Sequence, residues 1–254
     1  MKLYFFSSGK LKSSRDVFIA GEPKTPFIVP VPFYLIQHRG KNILFDCGNH
    51  KLDIVGGTGL VVSGSKPLFD ETQWAPNALK AIGVDPGRID FLILSHLHHD
   101  HVGAATEFQH ATVIAHRSEY DYAHRPDYFM SRAYYEAEFP KTLDWFLLEG
   151  GQSETFDLFG DGRICIINTF GHTPGHISLL VRTDKDGDML LAADACYLES
   201  SLETGLIPGL VCDPTAYMQS IRLLRLMQKT GVKIIAGHDP EKWDGYRHAP
   251  EYYE

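Results

Sequence analysis

The sequence predicts a layered α+β fold, with helices on the outer faces of two facing sheets. Three observations carry this: short apolar runs alternate with helical patterns, two strand-rich blocks divide the chain, and no repeat or hydrophilic linker separates them. At 254 residues the chain is long enough for a substantial core. We expect one domain over residues 1–254.

In chain order, Phe33 to Ile36 and Asn42 to Phe45 flank Arg39-Gly40 as a predicted hairpin, and Phe91 to Ser95 and Thr112 to Ala115 follow as further strands. The aromatic-rich stretch Tyr120 to Trp145 reads as helical in part. Its rings, Tyr128, Phe129, Tyr134, Tyr135, Phe139 and Trp145, suit a core or a subunit interface better than a substrate wall. The second block holds strands Arg163 to Asn168, Ile177 to Arg182 and Met189 to Ala193, with turns at Gly171 to Gly175 and Asp184 to Asp188. Asp213-Pro214-Thr215 then supplies an N-cap and a first-turn proline for a helix. Tyr217, Ile221 and Leu224 mark its apolar face, and Gly231 ends it. Lys233 to Ala236 is the last strand.

A formal net charge of -8 argues against unspecific phosphate-backbone binding, so nucleic acid is not expected as a partner. Cys47, Cys165, Cys196 and Cys212 form no CxxC pair, and the apolar run at Met1 to Phe6 is too short for a signal peptide. A reduced, cytoplasmic setting fits both. No stretch approaches the roughly 20 apolar residues that a membrane helix needs.

The chemistry concentrates in Ser95-His96-Leu97-His98-His99-Asp100-His101, directly after an apolar run. In an extended chain, residues two apart point the same way, so His96 and His98 can approach one cation together. If the chain then turns, Asp100 and His101 can reach a second. His172, Asp194 and His238 also follow apolar runs, where strand ends deliver side chains to a common rim. A carboxylate at Asp194 is costly to bury unless it meets a cation or donors. His99 and His176 are expected to brace loops, and the other histidines have no comparable case.

The ordered segments His96-Leu97-His98-His99-Asp100-His101, Gly171-His172, Asp194 and Gly237-His238 resemble the motifs of the metallo-β-lactamase superfamily over most of the chain. That resemblance implies an αββα sandwich, an α+β fold of two facing mixed sheets. It assigns His96, His98 and His172 to one metal, Asp100, His101 and His238 to a second, and Asp194 to both. Asp46 resembles the family's early Asp-x-Gly motif and would orient a ligand. Two divalent ions, zinc first, suit nitrogen and oxygen donors, and iron, manganese and cobalt are also admissible. No organic cofactor is required. His98 stands where the di-iron flavoproteins of the superfamily carry a glutamate, which favours a hydrolase.

Tyr197, three residues after Asp194, resembles the arrangement in quorum-quenching N-acyl-homoserine lactonases. The resemblance implies a metal-dependent carboxylic-ester hydrolase that opens a small-molecule lactone by attack of a metal-bridging hydroxide. Tyr197 would stabilise the oxyanion and Asp100 would carry the proton to the leaving alkoxide. Alternatives are another small lactone, such as a pyridoxine-derived one, a thioester of glyoxalase II type, and an inert metal-binding scaffold or sensor. The short run after His238 leaves little room for the recognition helices of the thioester enzymes. Lys10 to Pro32 and Lys51 to Gln73 are expected to shape an acyl pocket, with Phe27, Val29, Phe69 and Trp74 as either lining or ordinary packing. A homodimer is compatible with the sequence.

Overall fold

The computed structural model describes residues 1–55 and 65–254. Among them, strands β1 (Lys2–Ser14), β2 (Pro26–His38), β3 (Lys41–Phe45), β4 (Lys66–Leu68), β5 (Phe91–Ile93), β6 (Thr112–His116) and β7 (Asp144–Leu148) form one sheet in the order β4-β1-β2-β3-β5-β6-β7. The second sheet comprises β8 (Thr155–Asp157), β9 (Ile164–Asn168), β10 (Ile177–Arg182), β11 (Asp188–Ala193) and β12 (Lys233–Ala236), in the order β12-β11-β10-β9-β8. Both sheets are mixed. Antiparallel β1, β2 and β3 give way to parallel pairing of β3, β5, β6 and β7, and antiparallel β8 to β11 end in parallel β11 and β12.

Alternation along the strands explains the layers. Leu3, Phe5, Ile43, Phe45 and Ile93 face Ile164, Ile166, Leu179 and Leu191 across the inter-sheet core. Their neighbours point outward: Leu44 and Leu92 pack with Leu79 of the helix Ala75–Ala81. Ile167, Leu180, Leu190 and Ile234 pack with Tyr217, Ile221 and Leu224 of the helix Pro214–Lys229. The expected helix–sheet–sheet–helix sandwich is what the chain forms.

Local chemistry accounts for the element boundaries. Arg39 and Gly40 have φ of 51° and 73°, so the two-residue β2–β3 turn has the doubly left-handed form that suits strand twist. At the start of the helix Pro214–Lys229, Asp213 Oδ1 accepts from Thr215 N at 2.8 Å and Ala216 N at 3.0 Å. Gly231, at φ 98°, follows its C-terminus.

Two regions show detail beyond the sequence expectation. The amino-terminal 38 residues are dominated by the long hairpin β1–β2, which the sequence pattern did not reveal, and Leu11, Val17 and Phe18 of the segment Lys10 to Pro32 line a cleft, as expected of that segment. The hairpin's pattern is disguised by a register shift between Ser7 and Lys10, and Pro30 and Pro32 pair at the edges of that break. Tyr120 to Trp145 contains the end of the helix Arg117–Ala123, two single 3₁₀ turns and the start of β7. Phe139 is fully buried, whereas Tyr128, Phe129 and Tyr135 are exposed. Of the segment Lys51 to Gln73, residues 56–64 lie outside the described residues. No helix among the described residues is long and apolar enough to cross a membrane.

Candidate metal centre

The centre lies at a rim where the two sheets are joined: Ile177 N, opening β10, donates to Ser95 O, just beyond β5, at 2.8 Å. His96 and His98 follow β5, and Asp100 and His101 lie on the single-turn helix His99–Val102. His172, Asp194 and His238 follow β9, β11 and β12. Backbone geometry is specific here. Gly171 has φ 130°, and a Cβ on it would stand 2.1 Å from Tyr217 N. Gly237 lies so close to Ala193 that a Cβ would meet its carbonyl oxygen at 2.5 Å. Side chains at either position would push His172 or His238 off the rim.

These seven residues form two donor sets. One comprises His96, His98, His172 and Asp194, the other Asp100, His101 and His238, and the donor atoms of each set lie within 4.8 Å of one another. Asp194 also faces the second set. Its Oδ2 is 3.1 Å from His172 Nε2 and 3.5 Å from His96 Nε2, while its Oδ1 is 3.3 Å from His101 Nε2 and 3.1 Å from His238 Nε2. Asp100 Oδ2 is 3.5 Å from His238 Nε2.

The outer ring nitrogens are tied down. His238 Nδ1 donates to Pro30 O at 2.7 Å, and His172 Nδ1 to Leu210 O at 3.2 Å. His101 Nδ1 is 2.8 Å from Asp46 Oδ2, and Asp46 also accepts from Ser95 N and Ser95 Oγ. Asp46 therefore orients a ring of the second set, the role its early motif implied. His96 Nε2, His98 Nε2, His101 Nε2 and Asp194 Oδ1 are buried without a hydrogen-bond partner. Orphaned donors of this kind are costly in a protein interior, and divalent cations would satisfy them. The residues fit a two-metal centre.

Charge divides the sets. Burial, aided by neighbouring histidines, holds His96 and His98 well below the ordinary imidazole value. Burial also opposes charge on His101 and His238, but Asp194 and Asp100 outweigh it and raise both. Against its own burial, Asp194 is held well below the usual carboxylate range by His101, His238 and His172.

Beside the donors lies a partly open cleft, with about 480 Å³ of empty space that includes open solvent at its mouth. Leu11, Val17, Phe18 and Leu210 supply apolar wall, and Tyr197, Asp100 and His99 supply polar groups. Phe27, Val29, Phe69 and Trp74 are not among its lining residues. Val29 and Phe27 pack behind the wall around Phe18 and Tyr197, and Phe69 and Trp74 pack under the first sheet. The Tyr197 hydroxyl is 3.4 Å from His172 Nδ1. Burial, with Asp194 and Asp100 nearby, raises its phenol and keeps it protonated.

Both remaining histidines of the motifs brace loops, as expected. His176 Nε2 accepts from Asp194 N at 3.1 Å. His99 Nε2 is 2.5 Å from Asp53 Oδ2, and its Nδ1 is 2.6 Å from Glu138 Oε1. Burial disfavours its charge, but the two carboxylates raise it to about 10. Asp53, Glu138 and the fully buried Glu119 escaped sequence reasoning, because a carboxylate's burial is set by distant contacts. All four cysteines are free, and buried Cys47 and Cys196 pack near the rim, outside both donor sets.

The fold and the paired donor sets define a class, and comparison with known proteins agrees. Residues 27–238 match the family model described as the metallo-beta-lactamase superfamily, and the chain belongs to that superfamily. Within it, the chain is similar to N-acyl homoserine lactonase AttM of Rhizobium radiobacter, at 36% identity over 100% of this chain and 98% of the relative. N-acyl homoserine lactonase AiiA of Bacillus thuringiensis subsp. kurstaki is 32% identical over 99% and 98%. A solved N-acyl homoserine lactone hydrolase, with N-hexanoyl-L-homoserine at its catalytic metal centre, superposes with a TM-score of 0.87 at 28% identity, covering 99% of this chain and 98% of that one.

Proposed function

We propose that this protein is a metal-dependent lactonase that opens the ring of N-acyl-homoserine lactones, yielding N-acyl-homoserines, and so quenches quorum signals. The observation that carries this reading is the placement of Tyr197 beside His172, facing a cleft that joins both donor sets to an apolar wall. Whole-length similarity to lactonases supports it.

His96, His98 and His172 would hold one cation, Asp100, His101 and His238 the other, and Asp194 both. Divalent cations held there would supply a water of lowered pKa and Lewis-acid polarisation of a carbonyl. Tyr197 donates a hydrogen bond to the carbonyl oxygen as negative charge develops on it, an effect worth about 3 kcal/mol for comparable donors. As a water oxygen bonds the carbonyl carbon, Asp100, at the cleft edge, takes up the proton that the water gives up and delivers it to the ring oxygen as the ester C–O bond breaks. Leu11, Val17, Phe18 and Leu210 bind the acyl chain and exclude water from it.

The imidazole-rich donors suit zinc, with iron, manganese and cobalt as chemically admissible occupants. The inter-sheet core shared by both halves supports a single domain. The net charge and cysteine pattern support a cytoplasmic protein without a nucleic-acid partner, and the exposed Tyr128 and Phe129 suit a homodimer.

The test combines metal analysis with a panel of lactones and thioesters, following acid release at constant pH. Fastest turnover of N-acyl-homoserine lactones, lost on chelation and restored by metal, is expected. Turnover of thioesters but not lactones overturns the assignment, and faster opening of an unrelated small lactone replaces the substrate.

A further inference from the structure

Glu119 is fully buried on the helix Arg117–Ala123 and contributes no atom to either donor set. Its carboxylate nevertheless reaches both loops of the histidine-rich set. Oε1 accepts from Leu97 N at 3.0 Å, and Leu97 is the residue between His96 and His98. Oε2 accepts from Gly175 N at 3.3 Å, in the loop that begins with Gly171-His172. Oε1 also accepts from the Tyr134 hydroxyl at 3.1 Å, and the Tyr134 ring lies 4.7 Å from that of His98. One carboxylate thus holds three supports of the same set. Gly175 shows how close this approach is: a Cβ there would lie 2.2 Å from Glu119 N. Among the described residues, Glu119 makes no hydrogen bond to Asp100, His101 or the loop carrying His238.

We propose that Glu119 is the positioning residue of the histidine-rich metal site, setting the distance between the His96–His98 loop and the His172 loop by bonding the backbone of both. The inference rests on the two-metal reading of the centre. A carboxylate suits this task because both oxygens only accept, and each meets a donor. An amide of the same shape cannot, since its NH₂ would oppose an N–H of one loop. Outer partners of this kind typically contribute 10–100-fold to metal affinity, at roughly that order of magnitude.

The experiment is a zinc titration of the metal-free whole chain against a chromophoric chelator, with cadmium NMR of the loaded protein to resolve the two sites. Glu119→Gln should weaken one binding step by about 10–100-fold and leave the other unchanged. The cadmium signal perturbed should be the one that His98→Ala removes. Gly175→Ala leaves the carboxylate intact but forces the His172 loop away from Glu119, and it should perturb the same signal. That second variant tests the idea if Glu119→Gln fails to fold. Equal weakening of both steps, or an unchanged titration in both variants, overturns the proposal while leaving two metals in the unaltered chain. Fewer than two ions bound by the unaltered chain overturns the two-metal reading itself, and this proposal with it.

Discussion

The two donor sets share Asp194 yet are built on different principles. In the first, His96 and His172 are fully buried while His98 reaches the cleft, and the loops that carry them are bonded to an internal carboxylate. Of the second set, Asp100 and His238 line the cleft, and the Asp100 side chain retains 15% exposure. In the first set, burial keeps His96 and His98 neutral, as metal ligation requires. In the second, carboxylates favour charge on both imidazoles. The contrast is one of charge: burial dominates at His96 and His98, and carboxylates dominate at His101 and His238.

Asp194→Ala removes the carboxylate common to both sets and should have the largest effect, with loss of both ions and lactone turnover at the buffer rate, read by elemental analysis and acid release. Asp100→Asn should separate the sets. We expect kcat to fall by about 10²–10⁴-fold while the histidine-rich set keeps its ion. Loss of both ions in that variant would erase the contrast. Tyr197→Phe should lower kcat by about 10²-fold at unchanged metal content, because it removes only an oxyanion donor. Unchanged kinetics would take Tyr197 out of the mechanism. Asp213→Ala should have the smallest effect. Loss of the cap costs about 1 kcal/mol, and a calorimetric Tm about 2–4 °C lower is expected with both ions retained.

The sequence made the seven clustered His and Asp residues legible as candidate donors because each sits at the end of an apolar run or in a glycine-marked turn, and such signals are local. The layers, the Arg39-Gly40 turn and the Asp213-capped helix were readable for the same reason. The hairpin β1–β2 was not, since its register break and prolines interrupt the two-residue period by which strands are read. Glu119, Asp53 and Glu138 were hidden for a different reason. A glutamate on a short helix reads as a solvated charge until tertiary contacts bury it, and Glu119 meets Leu97 and Gly175 only across folded layers. The cleft was hidden likewise: Leu11 and Leu210 line it from opposite ends of the chain.

The position of β12 in the second sheet has a consequence for biosynthesis. His238 reaches the rim only when β12 docks in parallel beside β11, where Gly237 N and His238 N donate to Cys196 O and Tyr197 O. As the chain leaves the ribosome, the His96–His101 segment emerges early and His238 comes last of the seven. Parallel pairing between distant segments is slow to form. The second donor set therefore lacks His238 until the chain has been made through β12 and that strand has docked.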